Sequence, residues 1–361
     1  MELFKANRQW ATRPADERFS SLQSLYDATK HYADSAKERT DVRVDTLRVE
    51  NVEGDVELLG RGGIPAKLTH WAFGQLCARI GAPASYLREL PATLAAQNLN
   101  HGLAQRVLDA KDATVNLLFH LNGGYILRAL TSDRYERIWN HEVAERLLDL
   151  QSQGWEPAMP DIRADIDPEG PRPSLYASDH DLFAFIRHTE RTVSEPGNPD
   201  GLQRGLIAEN SEVGASKIRL TRFLYREMCG NHIIWGASDV VELSARHIGN
   251  VRGKLSMWDA EIRKYMNESV SDDEAKIASA KTRLIAATKD EVLDALFGKR
   301  TINLSRRVLE AGYEATQPDV DGDPRTPWGM AQGLTRYSQT MPYADKRTDI
   351  DRAAGRLLEA F

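Results

Sequence analysis

A chain of 361 residues exceeds what one compact core usually holds, which points to two domains or one elaborated domain. Its 41% apolar and 28% charged content is ordinary for a soluble globular protein, and its net charge of -6 excludes a uniformly basic coat for duplex DNA. Two cysteines, Cys77 and Cys229, cannot build a disulfide framework and suit a reducing, cytoplasmic setting. No apolar run has the length of a signal-peptide core or of a membrane span, so no membrane association is expected.

After the polar leader MELFKANRQWATRPADERFS, Phe19 to Thr40 carries Leu22, Leu25, Tyr26 and Thr29 at helical spacing. Val42–Glu50 (VRVDTLRVE) alternates as a half-buried strand, and Gly54-Asp55 marks a hairpin into Val56–Leu59. Thr69 is placed to cap a helix with Trp71, Ala72, Leu76 and Ile80 on its apolar stripe. Pro83 and Pro91 punctuate two further helical pieces. The second reaches Leu108, with Leu94, Leu99, Leu103 and Val107 inside.

Val115–Phe119 and Tyr125–Leu130 flank Asn122-Gly123-Gly124, a hairpin signal, and Asn140 is placed to cap a helix through Leu150. Five prolines (157, 160, 168, 171 and 173) mark a loop-rich passage. Strands are expected at Asp181–Arg187, Leu206–Asn210, Lys217–Tyr225, Ile233–Trp235 and Val241–Ile248, with Glu195–Gly201 as a turn or loop. From Lys254 the pattern is helical, first with Trp258, Ile262, Tyr265 and Met266 on one stripe. Ser271 and Glu274 then match a capping box, opening a helix with Ile277, Ala280, Leu284 and Ala287 inside. Later helices centre on Leu293, Leu304–Val308, Trp328–Tyr337 and Ile350–Leu358. The class is α+β: N-terminal helices, a central and mainly antiparallel sheet, and a helical C-terminal third. The corresponding regions are 1–110, 111–253 and 254–361, compatible with one continuous domain.

The functional signal lies in NSEVGASKIRLTRFLYREMCGNHIIWG (Asn210–Gly236). Strand alternation sends Lys217, Arg219, Phe223 and Tyr225 to one face. Ile218, Leu220, Leu224, Arg222 and Arg226 go to the other. Cations beside aromatic rings are what single-stranded nucleic acid requires, since cations meet phosphate and rings stack on bases. The same residues also suit a half-buried edge strand with solvated arginines. From Arg204 to Lys254 eight basic residues face five acidic ones, against the acidic balance of the whole. Arg128, Arg134, Tyr135 and Arg137 form a second candidate patch.

Other chemistry lacks its signature. Gly249–Leu255 (GNVRGKL) is one residue short of a phosphate loop and has Leu255 where a hydroxyl should meet magnesium. Asp319, Asp321 and Asp323 resemble a calcium loop, but Met330 stands at the bidentate carboxylate position. Cys229 and His232 have no second ligand pair at zinc spacing. No cofactor, metal or catalytic residue is expected, and an enzyme site dispersed over Cys229, His232 and Asp133 has no spacing behind it.

Four blocks resemble the phage/plasmid-like proteins of unknown function: AKLTHWAFGQLCARIGAPASYLRELP (Ala66–Pro91), RALTSDRYERIWNHEV (Arg128–Val143), ENSEVGASKIRLTRFLYREMCGNHIIWG (Glu209–Gly236) and TPWGMAQGLTRYSQ (Thr326–Gln339). His232 departs from that family's usual glycine after Asn231. The resemblance brings no activity or cofactor; its setting implies DNA metabolism or defence on a mobile element. The expected function is binding or annealing of single-stranded DNA by a homo-oligomer, without nucleotide or metal. The alternative is a self-assembling or protein-interaction factor with no nucleic-acid role.

Overall fold

Two sets of alternating segments build two sheets in the computed structural model. The structure describes residues 15–361 apart from 61–62, 106–112, 122, 159–173, 227–230, 234–243, 339 and 341–343. The first sheet has six strands in the order β2 (Ala36–Arg43), β6 (Thr114–Leu121), β7 (Tyr125–Ser132), β5 (Pro65–Leu68), β4 (Asp55–Leu59) and β3 (Val49–Val52). Its β5–β7 pairing is parallel and the rest are antiparallel. One face packs on α2 (His70–Ile80), α3 (Ala84–Glu89) and α4 (Ala92–Gln105). As the sequence predicts, Thr69 caps α2, its hydroxyl accepting the Ala72 N–H at 3.1 Å. The helix ends at Gly81, where φ is 71° and a side chain is disfavoured.

The second sheet is antiparallel, in the order β1 (Arg18–Phe19), β9 (Leu175–Ala177), β10 (Leu182–Glu195), β11 (Asn198–Asn210), β12 (Arg219–Arg226) and β13 (Asn231–Ile233), with β8 (Trp155–Pro157) also on β10. One face carries α1 (Leu22–Asp34), α5 (Asn140–Gln151), α6 (Val251–Ser256) and α7 (Trp258–Asn267). Val193, Leu202 and Leu224, at the far end of β10–β12, enter the helical third instead. That region comprises α8 (Ser271–Thr282), α9 (Lys289–Phe297), α10 (Arg306–Ala315), the short α11 (Pro318–Asp321), α12 (Pro327–Ser338) and α13 (Ala344–Ala360). The protein is thus α+β, with helices at the N-terminal end and through the C-terminal third. The β6–β7 hairpin pairs with strands that precede residue 70, so the first sheet draws on both the first and the central sequence region.

Several local expectations change. The helix predicted to Thr40 stops at Asp34, and Ala36–Arg43 becomes a charged edge strand, a composition that discourages edge-to-edge pairing. VRVDTLRVE is not one strand, because a 3₁₀ turn at Val44–Thr46 separates β2 from β3. Leu94 is exposed rather than inside. Trp139, not Asn140, occupies the cap of α5. Glu195–Gly201 is mostly strand, with a tight turn at Gly197 (φ 85°). Ser271 and Glu274 make no capping box; the Glu274 carboxylate accepts the Ser194 N–H at 3.0 Å and ties α8 to β10. α8 closes at Thr282, which leaves Leu284 and Ala287 outside it, with Leu284 exposed. Val107, the 159–173 passage, Cys229 and Trp235 lie outside the described residues.

The helical third is packed through glycine. A Cβ on Gly333 of α12 would stand 2.1 Å from the Gly312 carbonyl oxygen of α10. One on Gly329 would stand 2.1 Å from the Asp323 carbonyl. Glycine to alanine inside a helix ordinarily stabilises. Gly333→Ala should instead destabilise by about 1–3 kcal/mol, since backbone cannot yield to it. Gly74→Ala in α2, whose Cβ meets nothing nearer than Arg88 Nη2 at 3.4 Å, should match or exceed the parent in thermal unfolding.

Candidate nucleic-acid interface

Between the two sheets runs a buried polar loop, Asn210-Ser211-Glu212-Val213, each residue at most 1% exposed. Most of its polar groups are paired across both sheets, Asn210 Oδ1 excepted. Asn210 Nδ2 donates to the Ile138 carbonyl and to Asn140 Oδ1, both at 2.9 Å. Ser211 Oγ donates to the His180 carbonyl at 2.6 Å. The Val213 carbonyl accepts from Trp71 Nε1 at 3.0 Å and Gln75 Nε2 at 2.8 Å, both on α2. Glu212 meets Arg128 Nη1 at 2.8 Å and accepts the Asn140 N–H at 2.8 Å. Arg128 reaches it because the register of β6–β7 shifts there: Leu118 pairs with Ala129 and Phe119 with Leu127, leaving Arg128 as the extra, bulged residue. Its remaining donors meet the Asp179 carbonyl.

The residues singled out by sequence separate into two groups. Arg128 is buried against Glu212, and Arg137 is buried against Glu38. Arg219 pairs with its cross-strand neighbour Glu209 at 3.0 Å. Arg222 pairs with Glu268 at 2.9 Å and lies 4.6 Å above the Tyr265 ring. Phe223 is fully buried, edge-on to Phe185. Gly205 on β11 leaves room for its ring, since a Cβ there would lie 2.3 Å from Phe223 Cζ. The alternation of β12 is as expected, but both of its faces are packed, so these cations and this ring do not form a common open ledge. Tyr225 and Arg226 pair with His232 and Asn231 through backbone, and their side chains lie outside the described residues. Arg134 and Lys217 are exposed, and Tyr135 is half-buried.

Tyr135 and Lys217 meet in an open groove of about 570 Å³, which Arg79 of α2, Thr131 of β7, Arg246 and His247 also line. No carboxylate lies among the described lining residues. Sequence patterns do not single out Arg79, Thr131 or Arg246, and His247 reads there as one of several scattered histidines. One signal in the sequence does point here: three of the four blocks of resemblance converge on the groove, through Arg79, through Thr131 and Tyr135, and through Gly214–Lys217. The Tyr135 and His247 rings stack at 4.9 Å with an interplanar angle of 22°. Tyr135 donates its hydroxyl to the Ser211 carbonyl at 2.7 Å. Burial pushes that phenol well above its ordinary range, so it stays neutral. His247 Nδ1 lies 3.2 Å from the Glu136 carbonyl and carries the proton there, leaving Nε2 an acceptor. Burial lowers this imidazole to about 4, with Arg137 adding to the effect. Gly214 forms one wall at φ 83°, and a side chain there would point at Tyr135, Gln75 and Thr131.

A family model described as a domain of unknown function (DUF932) matches residues 129–357, which include every groove residue named above except Arg79 and Gln75. No curated protein and no solved structure matches the chain. No helix among the described residues is long and apolar enough to cross a membrane. Among the described residues no group of three metal-ligating side chains forms.

The buried pair and the buried imidazole each have a measurable consequence. Glu212→Ala strands a buried guanidinium and should cost about 3–5 kcal/mol in chemical denaturation. Glu310→Ala, which removes one partner of the exposed Lys289, should leave the midpoint unchanged. For His247, whose folded value lies below the ordinary unfolded value of about 6.5, the unfolded chain takes up a proton that the buried ring refuses. Stability should therefore be full above about pH 6.5 and fall as pH drops toward 4, by roughly 3 kcal/mol at most. Denaturation of His247→Gln at pH 7.5 and pH 5 should show a smaller loss than the parent.

Proposed function

We propose that this chain, which belongs to the DUF932 family of unknown function, binds single-stranded DNA in the groove between α2, β7 and the 214–217 segment. The observation that carries this is a concave surface lined by the exposed Lys217 and Arg246, with no carboxylate among its described lining residues, on a chain of net charge -6. A local positive site with low-dielectric walls focuses its field on a polyanion even when the whole molecule is acidic. The half-buried Tyr135 lines the same groove and offers a ring edge for a base to pack against, a contact that is sequence-tolerant because every base has a π-face. Arg134, next to Tyr135 in the chain, is exposed as well. Two exposed cations and one ring suit a short single-stranded segment held without nucleotide or metal. Such an activity accords with the phage or plasmid setting that the sequence resemblance implies, as a part of the DNA metabolism of a mobile element.

Fluorescence anisotropy with a labelled oligothymidylate tests the reading. Affinity should fall steeply with salt. Lys217→Ala with Arg246→Ala should reduce the slope of log K against log salt by roughly 1.4, about 0.7 for each phosphate no longer neutralised. Both side chains are exposed, so the fold should be unaffected. No binding at low salt, or an unchanged slope in the double variant, overturns the proposal. Light scattering that shows the same assembly with and without DNA supports a subunit-contact role instead.

A further inference from the structure

Three buried polar atoms around the groove have no hydrogen-bond partner among the described residues: Thr131 Oγ1, Ser216 Oγ and His247 Nε2. Thr131 is 4% exposed and His247 is 3% exposed. Leaving such groups unpaired weakens the folded state, because each has given up water without a replacement. In the surrounding loop most buried polar groups are paired, Asn210 Oδ1 excepted. Asn210 Nδ2 makes two hydrogen bonds, the Ser211 hydroxyl is both donor and acceptor, and both Glu212 oxygens are engaged. Unpaired atoms occur elsewhere in the interior too, but these three belong to residues that line one open groove, where a ligand can bring hydrogen-bonding atoms of its own.

Resting on the groove reading above, we infer that the groove floor takes the hydrogen-bonding edge of one unpaired base. His247 Nε2, with its proton committed on the Nδ1 side, accepts an N–H from that edge. The hydroxyls of Thr131 and Ser216, which donate or accept, meet a carbonyl or ring nitrogen beside it. Thymine and guanine carry a ring N–H next to carbonyl oxygens, and cytosine and adenine carry an amino group next to a ring nitrogen. In a duplex this edge is consumed by pairing. The floor is thus a sensor of strand state, where the cations recognise phosphate in either form. Thr131 and His247 are both covered in the free protein, so the base enters edge-on and displaces the rim around Ile248, which is 50% exposed.

The test uses the full chain and two oligonucleotides: oligothymidylate, and the same oligomer with every base methylated at N3. Methylation blocks the ring N–H while leaving the phosphates and the stacking face intact. The parent protein should bind the unmodified strand roughly fivefold more tightly, the worth of about one hydrogen bond. Thr131→Val keeps shape and removes an unpaired hydroxyl. It should raise the thermal midpoint while lowering affinity for the unmodified strand, a combination that a merely structural threonine does not give. His247→Gln should abolish the preference between the two strands. Equal affinity of the parent for both oligomers, with binding and its salt slope intact, overturns this inference and spares the groove reading. Absence of binding to either overturns both. A Thr131→Val variant that is less stable than the parent also overturns it, since the hydroxyl then has a structural partner.

Discussion

The contact on which the architecture depends is the buried pair between Arg128 and Glu212, each 1% exposed. Neither charge is tolerable alone in that environment, because desolvation of an unpaired ion costs more than any neighbouring packing returns. The pair holds because every other group is also engaged: the guanidinium on the Asp179 carbonyl, the carboxylate on the Asn140 N–H. These contacts join strand β7 of the first sheet, the turn before β10, the start of α5 and the loop after β11. Two sheets that share no strand are thereby tied to one another around this loop. The groove is the outer side of that same loop, two residues further on, so its shape is inherited from the ion pair rather than set by its own side chains.

The charge arrangement has a plain logic. On an acidic chain, most arginines of the central region find carboxylates: Arg137 with Glu38, Arg219 with Glu209, Arg222 with Glu268. Each such pair quiets the local field. Along the groove, by contrast, the described lining residues include the exposed Lys217 and Arg246 and no carboxylate. Cationic character here comes less from a surplus of arginine than from where the acids are not.

The sequence made the elements legible and hid their partners. Alternation in β6, β7 and β12, the proline-opened helices α3 and α4, and the Thr69 cap all rest on neighbours within a few residues, which a linear pattern records. The arginine pairs do not. Arg128 and Glu212 stand 84 positions apart in the chain, and Arg137 lies 99 positions from Glu38, so periodicity carries no trace of either. For the same reason Phe223 reads as a stacking platform, although Gly205 on the adjacent strand admits its ring to the core. The bulge at Arg128 is invisible too, because it depends on a register shift between two strands that each alternate acceptably. Local propensity also misleads at Ala36–Arg43, where charged residues after a helix imitate its continuation and in fact form a defended edge. The candidate site is half legible: Lys217 and Tyr135 are in view, and Arg79, Arg246 and His247 enter only through tertiary contact.

Tyr135 joins the ion-paired interior to the groove. Its hydroxyl holds the Ser211 carbonyl, and so belongs to the buried loop; its ring stacks on His247, and so belongs to the groove. Because burial keeps the phenol neutral, the ring adds no negative charge to the groove. Because the hydroxyl is committed, the ring cannot swing out to follow a ligand. On the proposed reading, adjustment to a ligand falls to the rim, where Arg246 and Ile248 are exposed, rather than to the floor. A fixed floor beneath an exposed cationic rim would favour ligands that arrive by charge and are sorted afterwards by shape. That order of events follows from which atoms the fold has already used.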